Sequence, residues 1–402
     1  MAMPLEGIKV LEVAHAIFGP HAGAQLASMG AEVIKVENMT GGDTTIRGYR
    51  GGALPRPGDV NYYFELENHD KRSLTLDLKT EQGLQIAHKL VESSDVFLTN
   101  FTPQALQGLK LDYGTLARIN PRLIYAHGTG WGMEGPEKNR PGYDFVVFAS
   151  SGLMDVMGEP GTPPVQCRPG MGDHISAILL DYAIVMALYH RERTGEGQMV
   201  HACLLAGLLQ AGASGLQANL VTGKEIERVD RRATANPLWS FYEMKDGRWV
   251  QFAMPDSDRY WPEFCRVLEI EAHRDDPRFD TLVHREENCK ELIVIIDAAM
   301  AARTSPDWLE RLQGTSIIWG LVKTYAEVAA SPQLRANGLV MELDHPVGGR
   351  IEVMGVPVQM SKTPGKVRAP APELGQHSEE ILLEMGYTWE DIIRLKDQGV
   401  TG

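Results

Sequence analysis

The amino-acid sequence predicts an α/β protein with a large domain built on a doubly wound parallel sheet and a smaller α+β domain. Three observations predict this class. The chain has 402 residues, 43% of them hydrophobic, which is enough to bury a large core. Its first 130 residues alternate short apolar stretches with segments of helical period. Near residue 236 this alternation gives way to a hairpin pattern, which predicts the smaller domain.

Five short strands are predicted in the first 130 residues. They are strongly apolar, as expected of parallel strands covered on both faces, and they lie at 7–14, 31–37, 73–78, 95–101 and 123–130. Apolar residues recur with helical spacing between them, at 19–30 and from about Thr80 to Ser93. Strand, helix and strand in this order form βαβ units, so we expect helices on both faces of the sheet.

A long, almost wholly apolar helix is predicted to begin at Asp173 and to run to Tyr189. The cations of HRERTGEG at 190–197 and the glycine among them end it. Its uninterrupted apolar run, from Tyr182 to Tyr189, is much shorter than the roughly 20 residues of a membrane span. We therefore expect a soluble protein with no membrane partner.

The stretch NPLWSFYEMKDGRWVQFAMP at 236–255 predicts two strands joined by a turn at Lys245-Asp246-Gly247. Amphipathic helices follow near 256–268 and 290–312, so residues of about 225–330 form the smaller domain. The remaining residues return to strand and short helices.

Charge and cysteine usage exclude several classes of partner. A net charge of −14 and a pI near 5.4 argue against nucleic acid or an anionic membrane. An anionic ligand would need local cations. Lys71, Arg72 and Lys79 cluster around one short predicted strand and are either a solvated edge or such cations. The four cysteines are far apart and have no zinc-binding spacing, which fits a reducing cytoplasm. The opening MAMPLEG carries no export or anchoring signal, so we expect a cytoplasmic location.

The common nucleotide and hydrolase motifs are excluded by context. Residues 130–135 match the dinucleotide pattern GxGxxG, but Pro136 follows where a phosphate-binding helix would have to begin. The sequence also contains no GxxxxGK[ST], HExxH or GxSxG motif. Nicotinamide binding and the usual hydrolase sites are therefore not predicted.

Asp173 stands in PGMGDHISAILL, between a glycine turn and the apolar run. Aspartate is a favoured helix N-cap, a role that contributes about 1 kcal/mol. The same position suits a nucleophile, because a helix N-terminus stabilises the anion and the glycines leave room for an acyl group. The residues alone leave both interpretations open. His21, His127 and His174 have no partner at metal-binding spacing, so they are interpreted as packing or surface groups and no metal site is predicted.

Many stretches, in order along almost the whole chain, are similar to one family. They are PLEGIKVLEV (4–13), GAEVIKVE (30–37), KRSLTLDLKTEQG (71–83), TNFTP (99–103), GPEKNRPGYDFVVFASSGLM (135–154), GDHISA (172–177), HRERTGEGQMV (190–200) and LGQHSEEILLEMGYTWEDI (374–392). On these motifs the chain resembles the class III CoA-transferases, the family of formyl-CoA transferase and carnitine CoA-transferase.

The resemblance implies roles for particular residues. Asp173 corresponds to the covalent nucleophile. Asp144 is not carried over from the family and is our own candidate for an acid that orients the site. Asn100 and Phe101 correspond to a pair that contacts coenzyme A, and Lys79 falls near the nucleotide. Lys71 and Arg72 are expected to add positive charge to the coenzyme site. Ile17, which stands where a glutamine near the thioester is typical, and Tyr143 are expected in the substrate pocket.

The activity implied is transfer of CoA from an acyl-CoA donor, such as succinyl-CoA, to a free carboxylic acid. The hairpin at 236–255 and the segment NYYFELENHDKRS are closer to the benzylsuccinate and 2-hydroxyacid subgroup, so an aromatic or 2-hydroxy acid is the expected acceptor. Aspartyl mixed-anhydride and aspartyl-CoA thioester intermediates are expected, with Asp173 kept ionised by its low pKa. CoA thioesters are then substrates, and no tightly bound cofactor is expected.

Two alternatives remain. The α-methylacyl-CoA racemases are similar and keep this aspartate, but they pair it with a histidine in a G-H-D triplet, which here is Gly142-Tyr143-Asp144. The chain could instead be the non-catalytic partner in a heteromer, although an idle subunit would not need Asp173.

The resemblance also implies an interlocked homodimer, or a heteromer with a homologous subunit, in which the small domain is inserted in the large one. The implied domains are the N-terminal part of a Rossmann-like large domain, the small α+β domain and the C-terminal return to the large domain, at 1–224, 225–330 and 331–402.

Overall fold

The computed structural model describes residues 2–48 and 59–402. The chain divides into two compact units, the first drawn from 1–154, 166–223 and 332–402 and the second from 155–165 and 224–331. Residues 155–165, which the sequence assigns to the large domain, pack in the second unit. There the Arg228 guanidinium donates to the carbonyl oxygen of Thr162 at 2.6 Å.

The first unit contains a six-stranded sheet in which every neighbouring pair is parallel. Its strands are β1 (Lys9–Val13), β2 (Glu32–Glu37), β3 (Arg72–Thr75), β4 (Val96–Thr99), β5 (Ile124–Thr129) and β6 (Gln198–Cys203). Their order is β3-β2-β1-β4-β5-β6, so the direction of winding reverses between β1 and β4. In such sheets ligands bind outside the carboxyl ends of the strands at this reversal. The predicted doubly wound α/β class is confirmed.

Helices cover the sheet. Up to residue 223 they are α1 (Phe18–Ser28), α2 (Tyr62–Asn68), α3 (Glu81–Glu92), α4 (Pro103–Gly108), α5 (Tyr113–Ile119), α6 (Asp144–Ser150), α7 (Leu153–Val156), α8 (Met171–Thr194), α9 (Leu204–Ala211) and α10 (Ala213–Thr222). The longest, α8, packs against α1, α9, β5 and β6. It begins two residues before the predicted start, because Gly170 rather than Asp173 precedes its first turn.

α8 is long and apolar enough to cross a membrane by length and composition alone, and the pair α9 and α10, bent by 81°, passes the same test if taken together. The core helix of a soluble protein also passes it. α8 contacts two strands, β5 and β6, and three helices, α1, α6 and α9, of its own unit, and 39% of its most apolar stretch is buried within the protein. The sequence analysis compared only the uninterrupted apolar run from Tyr182 to Tyr189 with a membrane span. The apolar segment of α8 is longer, because isolated polar residues lie within it.

The second unit carries the predicted hairpin. Its elements are β7 (Phe241–Glu243), β8 (Trp249–Phe252), α11 (Ser257–Leu268), α12 (Leu282–Glu287), α13 (Cys289–Met300), α14 (Ser305–Leu312), β9 (Trp319–Leu321) and α15 (Tyr325–Ala329). β7 and β8 are antiparallel, and Gly247 closes their turn with φ 77°, the left-handed conformation that glycine tolerates. The core of this unit includes Trp261, Trp308 and Phe264, all buried.

The chain then returns to the first unit through α16 (Pro332–Ala336), β10 (Val340–His345), β11 (Gly349–Met354), α17 (Ser378–Glu384) and α18 (Trp389–Asp397). Ile381 of α17 and Ile392 of α18 are buried in the same cluster as Leu74 of β3 and Ile86 of α3. The C-terminal helices therefore complete the core beside the β3 edge of the sheet.

A buried network of charged side chains lies next to the carboxyl end of β1. Glu12 lies between two ammonium groups, 2.9 Å from Lys35 Nζ and 2.7 Å from Lys71 Nζ, and all three side chains have no exposed surface. Lys35 also donates to the carbonyl oxygen of Ala14 at 3.1 Å and lies 3.6 Å from Asp43. Burial alone would lower the pKa of Lys35, but the charges of Glu12 and Asp43 raise it above its usual value. The network therefore holds β1, β2 and the start of β3 together by paired charge.

We expect Lys35→Met to lower the free energy of unfolding by about 3 to 5 kcal/mol, because it leaves buried carboxylates without their cation. Urea denaturation followed by circular dichroism measures the change. The exposed Lys323 is the control, and Lys323→Met should change stability by less than about 0.5 kcal/mol. Equal effects of the two substitutions would contradict a stabilising role for the buried pair.

Candidate active site

A buried carboxylate fixes the turn that leads into α8. Asp144, the first residue of α6, accepts hydrogen bonds from the backbone N–H groups of Gly170 at 2.7 Å and Gly172 at 2.9 Å. A Cβ on Gly172 would lie 2.4 Å from Asp144 Oδ1, so this close approach requires glycine. Gly170 has φ 88°, which favours glycine for a different reason. The turn therefore has one shape, and Asp144 determines it.

This turn places Asp173 as the third residue of α8, within its first turn. The N-cap interpretation of Asp173 is wrong, since the capping position is held by Gly170. The side chain of Asp173 is partly exposed, although protein surrounds it on most sides. Burial, together with the negative charges of Asp144 and Glu67, raises its pKa to about 7, while His174 opposes the shift. The expected low pKa is therefore not what the structure gives, and the ionised and neutral forms coexist near neutral pH.

Glu67, which the sequence analysis did not single out, joins two histidines beside this aspartate. Its carboxylate is buried, with Oε2 2.8 Å from His21 Nδ1 and Oε1 3.0 Å from His174 Nε2. The two imidazole rings lie 4.4 Å apart between centroids. The interpretation of His21 and His174 as lone packing groups is wrong. The three residues come from α1, α2 and α8, so no local spacing in the sequence connects them.

The charges of this cluster depend on one another. Burial would raise the pKa of Glu67, but the hydrogen bonds from His174 and His21 hold it below its usual value. Burial likewise would lower the pKa of His174, but its hydrogen bond to Glu67 and the neighbouring negative charges raise it. Gln25, one helical turn after His21, places its amide nitrogen 3.1 Å from His21 Nε2.

These donors could in principle hold a metal ion, because one atom from each of His21, Glu67 and His174 lies within 4.8 Å of the others. Imidazole nitrogen and carboxylate oxygen are ligands of Zn²⁺. However, each nitrogen is already at hydrogen-bond distance from its own oxygen of Glu67. Protons on the two nitrogens account for the arrangement, so we do not assign these residues as metal ligands.

The turn between β1 and α1 faces the same region. Asn100, just after β4, accepts from His15 N at 3.0 Å and donates to His15 O at 2.8 Å, while Asp43 accepts from Ala16 N at 2.9 Å. The Phe101 ring packs on the His15 ring at 5.1 Å between centroids. The Asn100 amide thus fixes the shape of this turn, a function that the sequence did not indicate.

Ile17 follows that turn and lies against the glycine turn of α8. Its Cδ1 is 3.5 Å from the position that a Cβ on Gly170 would take. Tyr143 directly precedes Asp144, and 66% of its surface is exposed. Of the residues predicted for the site, the structure therefore gathers Ile17, Asp144 and Asp173 around one turn.

The predicted cluster of coenzyme-binding cations is not supported for two of its members. Lys71 points into the interior, where its ammonium donates to the carbonyl oxygens of Pro20 at 2.7 Å and Glu67 at 2.8 Å, and burial lowers its pKa to about 8. Arg72 is held at the surface by Glu32, Glu380 and Glu384. Both side chains are therefore occupied within the protein, whereas Lys79 is exposed. Successive side chains along a strand point to opposite faces of the sheet, so cations that are close in sequence need not face the same ligand.

His127, the third histidine considered, lies on β5. Its Nε2 is 2.8 Å from the carbonyl oxygen of Phe101, and its ring packs against the rings of Tyr125 and His201. Burial lowers its pKa. It therefore occupies a packed position within the first unit.

Comparison with known proteins identifies the family. The sequence model of CoA-transferase family III matches residues 5–378. The chain is 30% identical, over 99% of both chains, to (R)-2-hydroxy-4-methylpentanoate CoA-transferase of Clostridioides difficile. It is 31% identical to cinnamoyl-CoA:phenyllactate CoA-transferase of Clostridium sporogenes, over 98% of this chain and 96% of that one.

The fold agrees with that of a solved structure. The crystal structure of a CAIB/BAIF family protein from Brucella suis superposes with a TM-score of 0.84 at 31% identity, covering 96% of this chain and 100% of that one. Sequence and fold thus agree over almost the whole chain. The chain therefore belongs to CoA-transferase family III, and it is a CoA-transferase that uses CoA thioesters as substrates.

Proposed function

We propose that this enzyme transfers CoA from an acyl-CoA donor to a free carboxylic acid through covalent chemistry at Asp173. The observation that carries the proposal is the position of this carboxylate, partly exposed in the first turn of α8 behind two glycines. A helix N-terminus stabilises a carboxylate, and Asp173 is exposed enough for a thioester to reach it.

The first half of the proposed reaction releases the donor acid. The Asp173 carboxylate attacks the thioester carbonyl, the C–S bond breaks, and a mixed anhydride and CoA thiolate form. The thiolate then attacks the Asp173 carbonyl of the anhydride, so the donor leaves as a carboxylate and an aspartyl-CoA thioester remains.

The second half reverses these steps with the acceptor. Its carboxylate attacks the aspartyl thioester and expels CoA thiolate, which then attacks the acceptor carbonyl of the new anhydride. The acyl-CoA product leaves and Asp173 is again a carboxylate. Each step exchanges one anion for another, so no net proton is consumed and the free energy of the thioester is retained.

Asp144 acts in this proposal by holding the nucleophile rather than by exchanging protons with substrate. Both of its oxygens accept backbone N–H groups of the glycine turn. Its carboxylate also places negative charge near Asp173. Asp144 is therefore a positioning residue, and Gly172 is shaped to accommodate it.

Coenzyme binding is proposed at the reversal of the sheet, where β1 and β4 end. Phe101 follows β4 there and packs on His15 of the turn after β1. Asn100 would contribute to this site by holding that turn. Lys79 is exposed and supplies positive charge suited to a phosphate.

The proposed acceptor is an acid with an apolar or aromatic side chain, such as a 2-hydroxy acid. Ile17 and Tyr143 place apolar surface near the glycine turn, and Met171 beside Asp173 is 42% exposed. The names of the two relatives, which refer to 2-hydroxy-4-methylpentanoate and phenyllactate, support this class.

We also propose that two copies of the chain associate. α8 presents one stripe of large exposed apolar side chains at helical spacing, namely Ile178, Tyr182, Val185, Met186 and Tyr189. Such a continuous stripe on a helix is typical of a face covered by protein. A second copy would cover it.

Replacing Asp173 tests the nucleophile. We expect Asp173→Asn to reduce CoA transfer by at least about 1,000-fold, since the amide cannot form the anhydride. Wild-type protein treated with acyl-CoA and hydroxylamine should yield a hydroxamate at Asp173, found by peptide mass spectrometry. Glu390→Gln, which removes an acid from the first turn of α18, is the control and should leave transfer unchanged. Wild-type rates in the Asp173 variant would refute the mechanism.

A panel of acceptors tests the substrate class. With one acyl-CoA donor, we expect kcat/KM for phenyllactate or 2-hydroxy-4-methylpentanoate to exceed that for oxalate by at least about tenfold, because each buried methylene contributes about 0.8 kcal/mol. Product acyl-CoA is measured by liquid chromatography. Oxalate or formate as the best acceptor would contradict this proposal and leave the nucleophile assignment intact.

Light scattering tests the association. The wild-type protein should have twice the chain mass of 44.4 kDa, and Val185→Asp should shift the population towards single chains because it places a charge in the stripe. Ile393→Asp, at an apolar position 57% exposed on α18, should not change the mass. A wild-type mass of 44.4 kDa at micromolar concentration would contradict the dimer.

A further inference from the structure

Of the described residues whose charges act on Asp173, two are acids and one is a histidine. Asp144 and Glu67 both place negative charge near the Asp173 carboxylate, and both raise its pKa together with burial. The cationic form of His174 is the charge that opposes them. A nucleophilic carboxylate must be ionised to attack, so this site needs a means of keeping positive charge next to Asp173.

The contacts of Glu67 meet this need. An ionised carboxylate can only accept hydrogen bonds, so His21 Nδ1 and His174 Nε2 both carry protons directed at Glu67. His21 Nε2 is next to the Gln25 amide nitrogen, an arrangement that suits a neutral His21 with its proton on Nδ1. Positive charge in the cluster is then placed on His174, the histidine adjacent to Asp173.

Both oxygens of Glu67 are engaged, one by each ring, so the carboxylate cannot rotate away from His174. Glu67 is completely buried, and its backbone is tied down as well, since its carbonyl oxygen accepts from the buried Lys71 ammonium at 2.8 Å. The alignment of His174 is therefore determined by side chains on two other helices, α1 and α2.

We propose that Glu67 and His21 are positioning residues that hold a cationic His174 beside Asp173, so that the nucleophile keeps its carboxylate form in an acid-rich, buried site. This proposal rests on the proposed role of Asp173. It extends that role by assigning the charge balance of the site to residues that never contact the acyl group.

The same pairing of Glu67 with His174 also suits the two covalent intermediates at Asp173. Asp173 loses its negative charge when it is acylated or thioesterified and regains it when the product leaves. Glu67 keeps its charge throughout, so His174 retains an anionic partner at every stage. The cation is then in place when the Asp173 carboxylate re-forms, and no proton has to enter or leave the site.

Among residues 2–48 and 59–402, the groups that face His174 come from four helices. They are Glu67 of α2, His21 of α1, Asp144 of α6 and Asp173 of α8 itself. Tyr63 of α2 is near Glu67, and burial raises its pKa, so it stays neutral over the pH range used below.

The pH dependence of kcat/KM tests the proposal. Activity needs ionised Asp173, so kcat/KM of the wild type should rise with pH and reach half of its maximum near pH 7. We call this rise the limb of the profile. In His174→Gln the limb should move up by about one pH unit, because the carboxylate loses a neighbouring cation. Above the new limb the rate should recover to within about tenfold of wild type. If the glutamine variant does not fold, His174→Asn makes the same test.

A second substitution distinguishes an electrostatic effect on the pKa of Asp173 from a purely structural effect. Adding Glu67→Gln to His174→Gln removes an anion that raises the pKa of Asp173, so the limb should move back towards its wild-type position. A purely structural role predicts that the double variant is worse at every pH. His284→Gln, which removes a surface histidine paired with Asp280 in the second unit, is the matched control and should leave the profile unchanged.

The outcomes are distinct. A limb that does not move in the His174 variant, or a rate that falls equally at all pH values, would overturn the proposal even if Asp173→Asn is inactive. An active Asp173→Asn variant would overturn the proposed function itself. Activity lost on dialysis against EDTA and restored by Zn²⁺ would also overturn the proposal, since the three residues would then be metal ligands.

Discussion

The site depends on two hydrogen bonds that the Asp144 carboxylate accepts from backbone N–H groups of the glycine turn that leads into α8. They satisfy backbone N–H groups at the start of a helix, which otherwise have no partner within it. They also set the direction of the first turn, and therefore the position of Asp173. Because Gly172 has no side chain, the carboxylate can approach the backbone closely, and any Cβ there would collide with it. The buried Asp144 carboxylate thus holds the glycine turn in one conformation, and this turn positions Asp173.

That arrangement concentrates negative charge. Asp144 cannot be removed without loosening the turn, so its charge has to be balanced elsewhere. The imidazole of His174 does this locally, with Glu67 behind it. Beneath these residues Glu12 is enclosed by Lys35 and Lys71, which balance charge deeper in the sheet. The two networks meet at Glu67, whose side chain binds histidines and whose backbone binds Lys71. The acidic protein therefore uses its cations for internal pairing near the site, which explains why Lys71 and Arg72 do not face a ligand.

The sequence predicted the large-scale features well. Each of the five predicted strands is present within about two or three residues of its expected bounds, since buried parallel strands are distinctly apolar. β6 was not predicted, because QMVHAC mixes polar and apolar residues at a sheet edge. Asp173 was found from its motif, but its environment was not, because Glu67 is 107 positions from His174 in the chain. Contacts of that separation exist only in the folded state, and the pKa of a carboxylate depends on them.

The division of the chain has a consequence for its synthesis. Most of the second unit is one continuous segment, 224–331, to which the short stretch 155–165 is added. The first unit, in contrast, needs residues 332–402 to complete its core. During translation the second unit can fold as soon as it leaves the ribosome. The parallel sheet, although made first, must wait with the β3 edge uncovered until α17 and α18 arrive. C-terminal truncation should therefore damage the half of the molecule that is translated earliest.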